Sequence, residues 1–288
     1  MKHFVVSGCS FTQNGRNAWS HHFEELLKIK YNSKDYQFHN VAISAIGNDL
    51  ISFNCLKTVQ SLLDSGVKNK DIKVILQWSG LNRPTTYLNY DFPEGMMVDF
   101  QEVSSQYFNI KNDNGYKFIH PAGRVKFNNY WETFFKNYFI PSEAFRHTLD
   151  CMLKTQWFLK TVNVDYRMFT AWDVFTTTDK NSKNILERLF KTGDKTNQFA
   201  DEPYSNKKNK LYKDVFSHIS HMWDMIDWDN FWLFESNKVK CGGMIQWVQK
   251  NVFRKEWYVS EKDKHPSGVA AGKFANDIIL PLVNGEKI

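Results

Sequence analysis

Cysteine is scarce in this 288-residue chain, with four in all. Cys9, Cys55, Cys151 and Cys241 stand far apart and form no CxxC pair. That excludes a zinc ribbon, a CxxC redox motif and a disulfide framework, and it fits a reduced intracellular setting. No apolar run approaches the length of a membrane span. The apolar part of "MKHFVVSG" is too short for a signal peptide and ends in a turn rather than a cleavage site. A protein made in the cytoplasm without a signal peptide is expected, with incorporation into a virion left open. The formal charge of +6 is mild, and its basic residues are scattered rather than banded. Their densest cluster, Lys207, Lys208 and Lys210 in "SNKKNK", reads as a solvated loop, so neither nucleic acid nor membrane is expected as a partner. Internal repeats and an interdomain linker are also missing. Residues 1–288 therefore read as a single domain able to bury a substantial core.

Aromatic side chains are what the chain has in excess: 24 Phe, 12 Tyr and 10 Trp, or 16% of residues. Most are expected in the core, and a minority on a surface that packs against a ligand or partner. Asp224, Asp227 and Asp229 alternate with Trp223, Trp228 and Trp232, which suits a solvated acidic face with a buried aromatic edge better than a sugar-binding strip. His218 and His221 stand one helical turn apart but lack a third metal ligand at suitable spacing, so no metal and no cofactor is expected.

"HFVVS" is a β-branched run that stops at Gly8 and reads as a buried strand. Asn17 is placed to cap a helix through about Ile29, with Trp19, Phe23, Leu26 and Leu27 on one face. "YQFHNVA" reads as a second strand. A helix over positions 50 to 65 follows and ends at Gly66. "IKVILQWS" has the continuous apolar character of a strand covered on both faces. Strand and helix alternating in this way predict a parallel sheet with helices on both sides, with ligands at the carboxyl ends of the strands. Those ends read "SGCSFT", "AISAIGND" and "SGLNR". Residues from about 84 to 140 read as a large insertion, with a hairpin turn around Asn112 to Gly115. Ser142 is expected to cap a helix from about Glu143 to Val162, before a strand in "YRMFTAW". A loop-rich region spans about 176–212, followed by helical "FSHISHMWDMI" and an amphipathic piece in "GGMIQWVQKNVF".

Near the carboxyl end, "DKHPS" precedes a helix that Pro266 is placed to start and that Val269, Phe274, Ile278 and Leu282 are expected to face inward. An Asp two residues before a His can orient the imidazole while the ring takes a proton from a serine. A serine follows the first strand, a glycine the second, an Asn the third, and an Asp/His pair precedes the last helix. In that order the chain resembles the SGNH (GDSL-type) hydrolase family, through "SGCSFT" at Ser10, "AIGND" at Gly47, "SGLNR" at Asn82 and "DKHPS" at Asp263 and His265. The likeness covers roughly the first 83 residues and the last 30.

The resemblance implies a flavodoxin-like α/β/α sandwich and ester hydrolysis through an acyl-enzyme. Ser10 would be the nucleophile, His265 the base and acid, and Asp263 its orienter. The amides of Ser10 and Gly47 and the side chain of Asn82 would form an oxyanion hole. The implied substrate is a small acyl ester or an acylated glycan, such as an O-acetyl carbohydrate. Two positions depart from the family pattern. Cys9 stands where the family keeps an acid, which bears on loop rigidity; as a thiol it is also an alternative nucleophile. Arg83 stands where the family runs Asn-Asp, suited to pairing with a local carboxylate or to an anionic substrate group. Bland roles stay open beside these: a turn serine for Ser10, a helix entry for Gly47, a loop cap for Asn82 and a surface histidine for His265. The second functional reading is a structural or adhesive component of an assembly such as a phage particle, because "GCSFT" and "HPS" blocks resemble versions found among phage and surface-polysaccharide genes. A homo-oligomer or virion proteins would then be its partners.

Overall fold

Three runs near the amino terminus become strands whose pairing sets the architecture: β1 (Lys2–Ser7), β2 (Tyr36–Asn40) and β3 (Ile72–Trp78). Further along the chain β4 (Asp165–Thr170) and β5 (Phe231–Trp232) complete a five-stranded sheet in the order β2-β1-β3-β4-β5. Every neighbouring pair is parallel. The computed structural model describes residues 1–13, 15–44, 46–81, 83, 86–89, 116–119, 137–138, 140–177, 210–236, 239–260, 263 and 265–286. The strand order reverses direction between β1 and β3, which is the switch point of a doubly wound sheet and opens a crevice at their carboxyl ends.

Helices cover both faces, which is why β1 and β3 are apolar without alternation. α1 (Trp19–Lys30) turns Trp19, Phe23 and Leu27 to the sheet. Phe4 of β1 meets Phe23 edge-on at 5.9 Å on that side. α2 (Asn48–Asp64) lies on the other side, where Ser7 Oγ donates to Ile51 O at 2.9 Å. α3 (Pro141–Thr161) packs beside α2, and Ser52 and Thr155 share a buried hydroxyl hydrogen bond of 2.8 Å. α4 (Met244–Asn251) and α5 (Gly268–Phe274, running on through Ala275–Ile279 and Leu280–Asn284) join α1 on the first side. Phe169 of β4 is fully buried there between Trp19 and Phe274. No helix among the described residues is long and apolar enough to cross a membrane.

Several boundaries differ from expectation, each for a local reason. α1 begins after Ala18 without a side-chain cap, so Asn17 lies outside it. α3 starts at Pro141, whose fixed φ and missing amide suit the first helical position, so Ser142 falls inside the first turn rather than capping it. In α5 the cap is Ser267, which accepts from Ala270 N at 3.1 Å, and Pro266 sits in the bridge to Tyr258 before the helix. Ala270, Ala271, Phe274 and Ala275 face inward, and Val269 is 57% exposed. Thr86–Asn89 pairs antiparallel with Tyr116–Ile119, bracketing the hairpin expected in the insertion. The turn expected at 112 to 115, and residues 178–209 of the loop-rich region, lie outside the described residues.

The aromatic–acidic stretch near residue 228 is a packing element. Trp223 and Trp228 lie 4.3 Å apart between centroids, and Phe175 meets Trp223 edge-on at 4.9 Å. Asp227 Oδ2 accepts from Lys160 Nζ (2.7 Å), Tyr166 Oη (2.8 Å) and Asn230 Nδ2 (3.0 Å). Burial pushes that carboxyl upward, but the hydrogen bonds from Lys160, Asn230 and Tyr166 win and hold it at about 2. Its contribution to stability is therefore present above the ordinary value of 3.8 and is lost as pH falls toward 2. Asp227→Ala should cost about 1–3 kcal/mol in urea unfolding at neutral pH, with the gap to wild type narrowing below pH 4.

Candidate active site

The loop after β1 turns sharply. Cys9 O accepts from both Thr12 N (2.9 Å) and Gln13 N (3.0 Å), which leaves Ser10 at the outer corner. Thr12 fixes that corner from below: its hydroxyl donates to Gln77 Oε1 of β3 at 2.8 Å and accepts from Trp19 Nε1 at 3.0 Å. Its carbonyl accepts from Ser20 Oγ and from Asn40 Nδ2 at 2.9 Å, so three elements hold one threonine. Gly8 makes room for it, because a Cβ there would fall 2.2 Å from Thr12 Oγ1.

Cys9 points inward, toward the same Gln77 side chain. It is fully buried, and its Sγ lies 3.5 Å from Gln77 Oε1. Where an acid was expected to steady this loop, the thiol fills core space, and the Thr12–Gln77–Trp19 network supplies the rigidity. Such a buried position also removes Cys9 from the reach of a substrate.

Ser10 Oγ lies 2.8 Å from His265 Nε2, and His265 Nδ1 lies 2.5 Å from Asp263 Oδ1. With Nδ1 donating to the carboxylate, a neutral ring leaves Nε2 to accept the serine proton. The same carboxylate oxygen accepts the His265 backbone amide at 3.1 Å, so the D-x-H spacing closes a small ring around one acceptor. Burial raises the Asp263 carboxyl, but the bonds from the His265 ring and amide outweigh it and hold the group below its ordinary value. Asp263 is thus an anion at neutral pH. The strap is anchored by Val259 N to His265 O (2.9 Å), Ser260 N to Asp263 O (3.1 Å) and Ser267 N to Trp257 O (3.1 Å). Phe11 presses its ring on His265 at 5.3 Å and on Trp172 at 5.6 Å, walling one side of the imidazole.

Gly47 is the residue before α2, at the helix end where backbone amides lack helical acceptors. Neither its amide nor that of Ser10 has a hydrogen-bond partner among the described residues. A side chain at 47 would collide with the backbone, since a Cβ would stand 1.8 Å from the Arg83 carbonyl oxygen. Asn82 lies outside the described residues. Arg83 holds its guanidinium carbon 5.1 Å above the Trp172 ring, and no described carboxylate forms an ion pair with it.

Asn48 was not singled out by its sequence position, because an Asn opening a helix signals only a turn. Its side chain grips both backbone groups of Ser79, accepting from Ser79 N at 2.7 Å and donating to Ser79 O at 3.1 Å, and it also donates to Thr148. It pins the end of β3 to the start of α2 and to Thr148 within α3. His218 and His221 are exposed and remote in the chain from this cluster.

No protein-family model and no curated protein sequence matches the chain. Among solved structures it is similar to the crystal structure of protein YxiM of Bacillus subtilis, at 11% identity and a TM-score of 0.39. The alignment covers 99% of this chain and 56% of that one, so the chain spans little more than half of that protein's length.

Two outcomes follow from this geometry. Gly47→Ala should lower stability by about 1–3 kcal/mol in denaturant unfolding, because backbone rather than a flexible side chain must move. All four thiols are buried, and burial pushes Cys55 and Cys151 up to about 12, so iodoacetamide should modify none of them until the protein is unfolded. Rapid alkylation of native Cys9, read by peptide mass spectrometry, would contradict the placement described.

Proposed function

We propose that this protein is a serine esterase of SGNH type that cleaves an acyl ester, such as an O-acetyl group on a carbohydrate. The reading is carried by one observation: the hydrogen-bonded row from Ser10 through His265 to Asp263 at the carboxyl edge of the sheet. Ser10 Oγ attacks the ester carbonyl as His265 Nε2 takes its proton. The imidazolium is stabilised by Asp263, whose depressed pKa keeps it charged. The tetrahedral oxyanion forms beside the amides of Ser10 and Gly47, which have no partner among the described residues, with Asn82 as a third donor by analogy with the family pattern. Collapse expels the alcohol, which receives the proton from His265, and leaves an acyl-Ser10. Water, deprotonated by the same imidazole, then attacks the acyl carbon; collapse releases the carboxylic acid as His265 returns the proton to Ser10 Oγ.

The geometry suits this cycle for a physical reason. Nε2 faces the hydroxyl, Nδ1 is committed to the carboxylate, and the edge contact with Phe11 limits ring rotation, so little reorganisation is needed for the transfer. On this reading wild-type protein hydrolyses p-nitrophenyl acetate, and Ser10→Ala and His265→Ala each lower kcat by at least about 10³-fold while the thermal melt stays cooperative. Folded wild-type protein with no turnover of any acetyl ester would remove the esterase reading and favour a role in an assembly.

A further inference from the structure

The wall that holds His265 continues to a second feature that ester cleavage itself does not use. His265 touches Phe11, Phe11 touches Trp172, and Trp172 lies under the guanidinium of Arg83. Only two rings separate the cation from the imidazole. Arg83 also lines a cleft of about 290 Å³ with Asn48, Gly80, Leu81, Ile140 and His147. The volume suits one small ring or a short acyl chain. The other guanidinium in that cleft, Arg146, is committed to Glu143 at 2.7 Å and Asp150 at 2.6 Å. Arg83 Nη1 is instead removed from solvent and has no hydrogen-bond partner among the described residues. A charged donor left in that state is costly, and it is the kind of group that a ligand's acceptor satisfies.

We propose that this cleft is a carboxylate subsite, and that Arg83 selects esters bearing a carboxylate near the scissile bond. The proposal builds on the esterase reading and adds the substrate's charge. Trp172 occupies one side of the guanidinium, and the two parallel N–H groups of a guanidinium edge match a planar carboxylate. Gly47 keeps the subsite beside the reacting centre, because the Arg83 backbone can approach only where residue 47 lacks a side chain.

The test separates binding from catalysis. Ser10→Ala protein, which cannot turn over an ester, is titrated calorimetrically with 4-acetoxybenzoate, with its uncharged methyl ester and with inorganic phosphate. The carboxylate should bind at least about tenfold more tightly than the methyl ester or phosphate, and adding Arg83→Gln should erase the difference. With wild-type Ser10, the ratio of kcat/KM for the acid over the methyl ester should fall to near one in Arg83→Gln. Equal affinity for acid and methyl ester, preferential binding of phosphate, or a preference that survives Arg83→Gln overturns the proposal. Should that variant fail to fold, Arg83→Lys keeps the charge without the planar fork and should weaken carboxylate binding by about threefold or more; unchanged affinity in it also overturns the proposal. Carboxylate binding by Ser10→Ala without turnover by wild type would retain the subsite and remove the esterase.

Discussion

The seam between β1 and β3 is the constraint on which the site depends. It sets Val6 opposite Ile75 and Ser7 opposite Leu76, so β1 ends beside Leu76 and β3 continues two residues beyond it to Trp78. β1 leads into the Ser10 corner and β3 into Ser79, Gly80 and Leu81. Side-chain bonds then convert a generic crevice into a fixed one. Thr12 binds Gln77 across the seam, and Asn48 binds Ser79 one step further out. Both ties are buried, where an unmade hydrogen bond is most costly, so each holds its loop to a single position.

Onto this fixed edge the chain brings the Asp263–His265 strap from its far end. Ser10 and His265 lie 255 positions apart, yet their contact needs no long side chain to reach across. Ser267 caps α5, α5 packs on α1, and α1 begins just after the Ser10 corner. The partners are therefore mounted on helices that already touch. Asp263 and His265 are themselves substantially exposed, so the strength of their pairing comes from geometry, with one carboxylate oxygen taking both ring and backbone N–H, rather than from exclusion of water.

Much of this was legible in the sequence, and the limits have physical causes. The uninterrupted apolar run of "IKVILQW" announced a strand covered on both faces, because burial on both sides removes the need for alternation. Ser10, Gly47 and the D-x-H pair could be named because position after a strand or before a helix is local information. Asn48, Thr12 and Phe11 could not, since their importance comes from partners far away in the chain: Ser79, Gln77 and Trp172. Capping was misassigned at Asn17 and Ser142 for a similar reason. A polar residue near a helix start is a good cap by composition, and neighbouring Pro141 decided where α3 begins. Cys9 looked like a weakness in the loop until its neighbours showed that Thr12 carries the load.

The central claim is that Ser10 is an activated nucleophile and not a turn serine. It is tested most directly by treating the native protein with a fluorophosphonate and mapping the adduct by peptide mass spectrometry. The account predicts one phosphonyl group on Ser10 in wild-type protein and none in His265→Ala, since the hydroxyl needs the imidazole to be reactive. An adduct on Cys9 or Ser7, or native protein that stays unmodified, would contradict it.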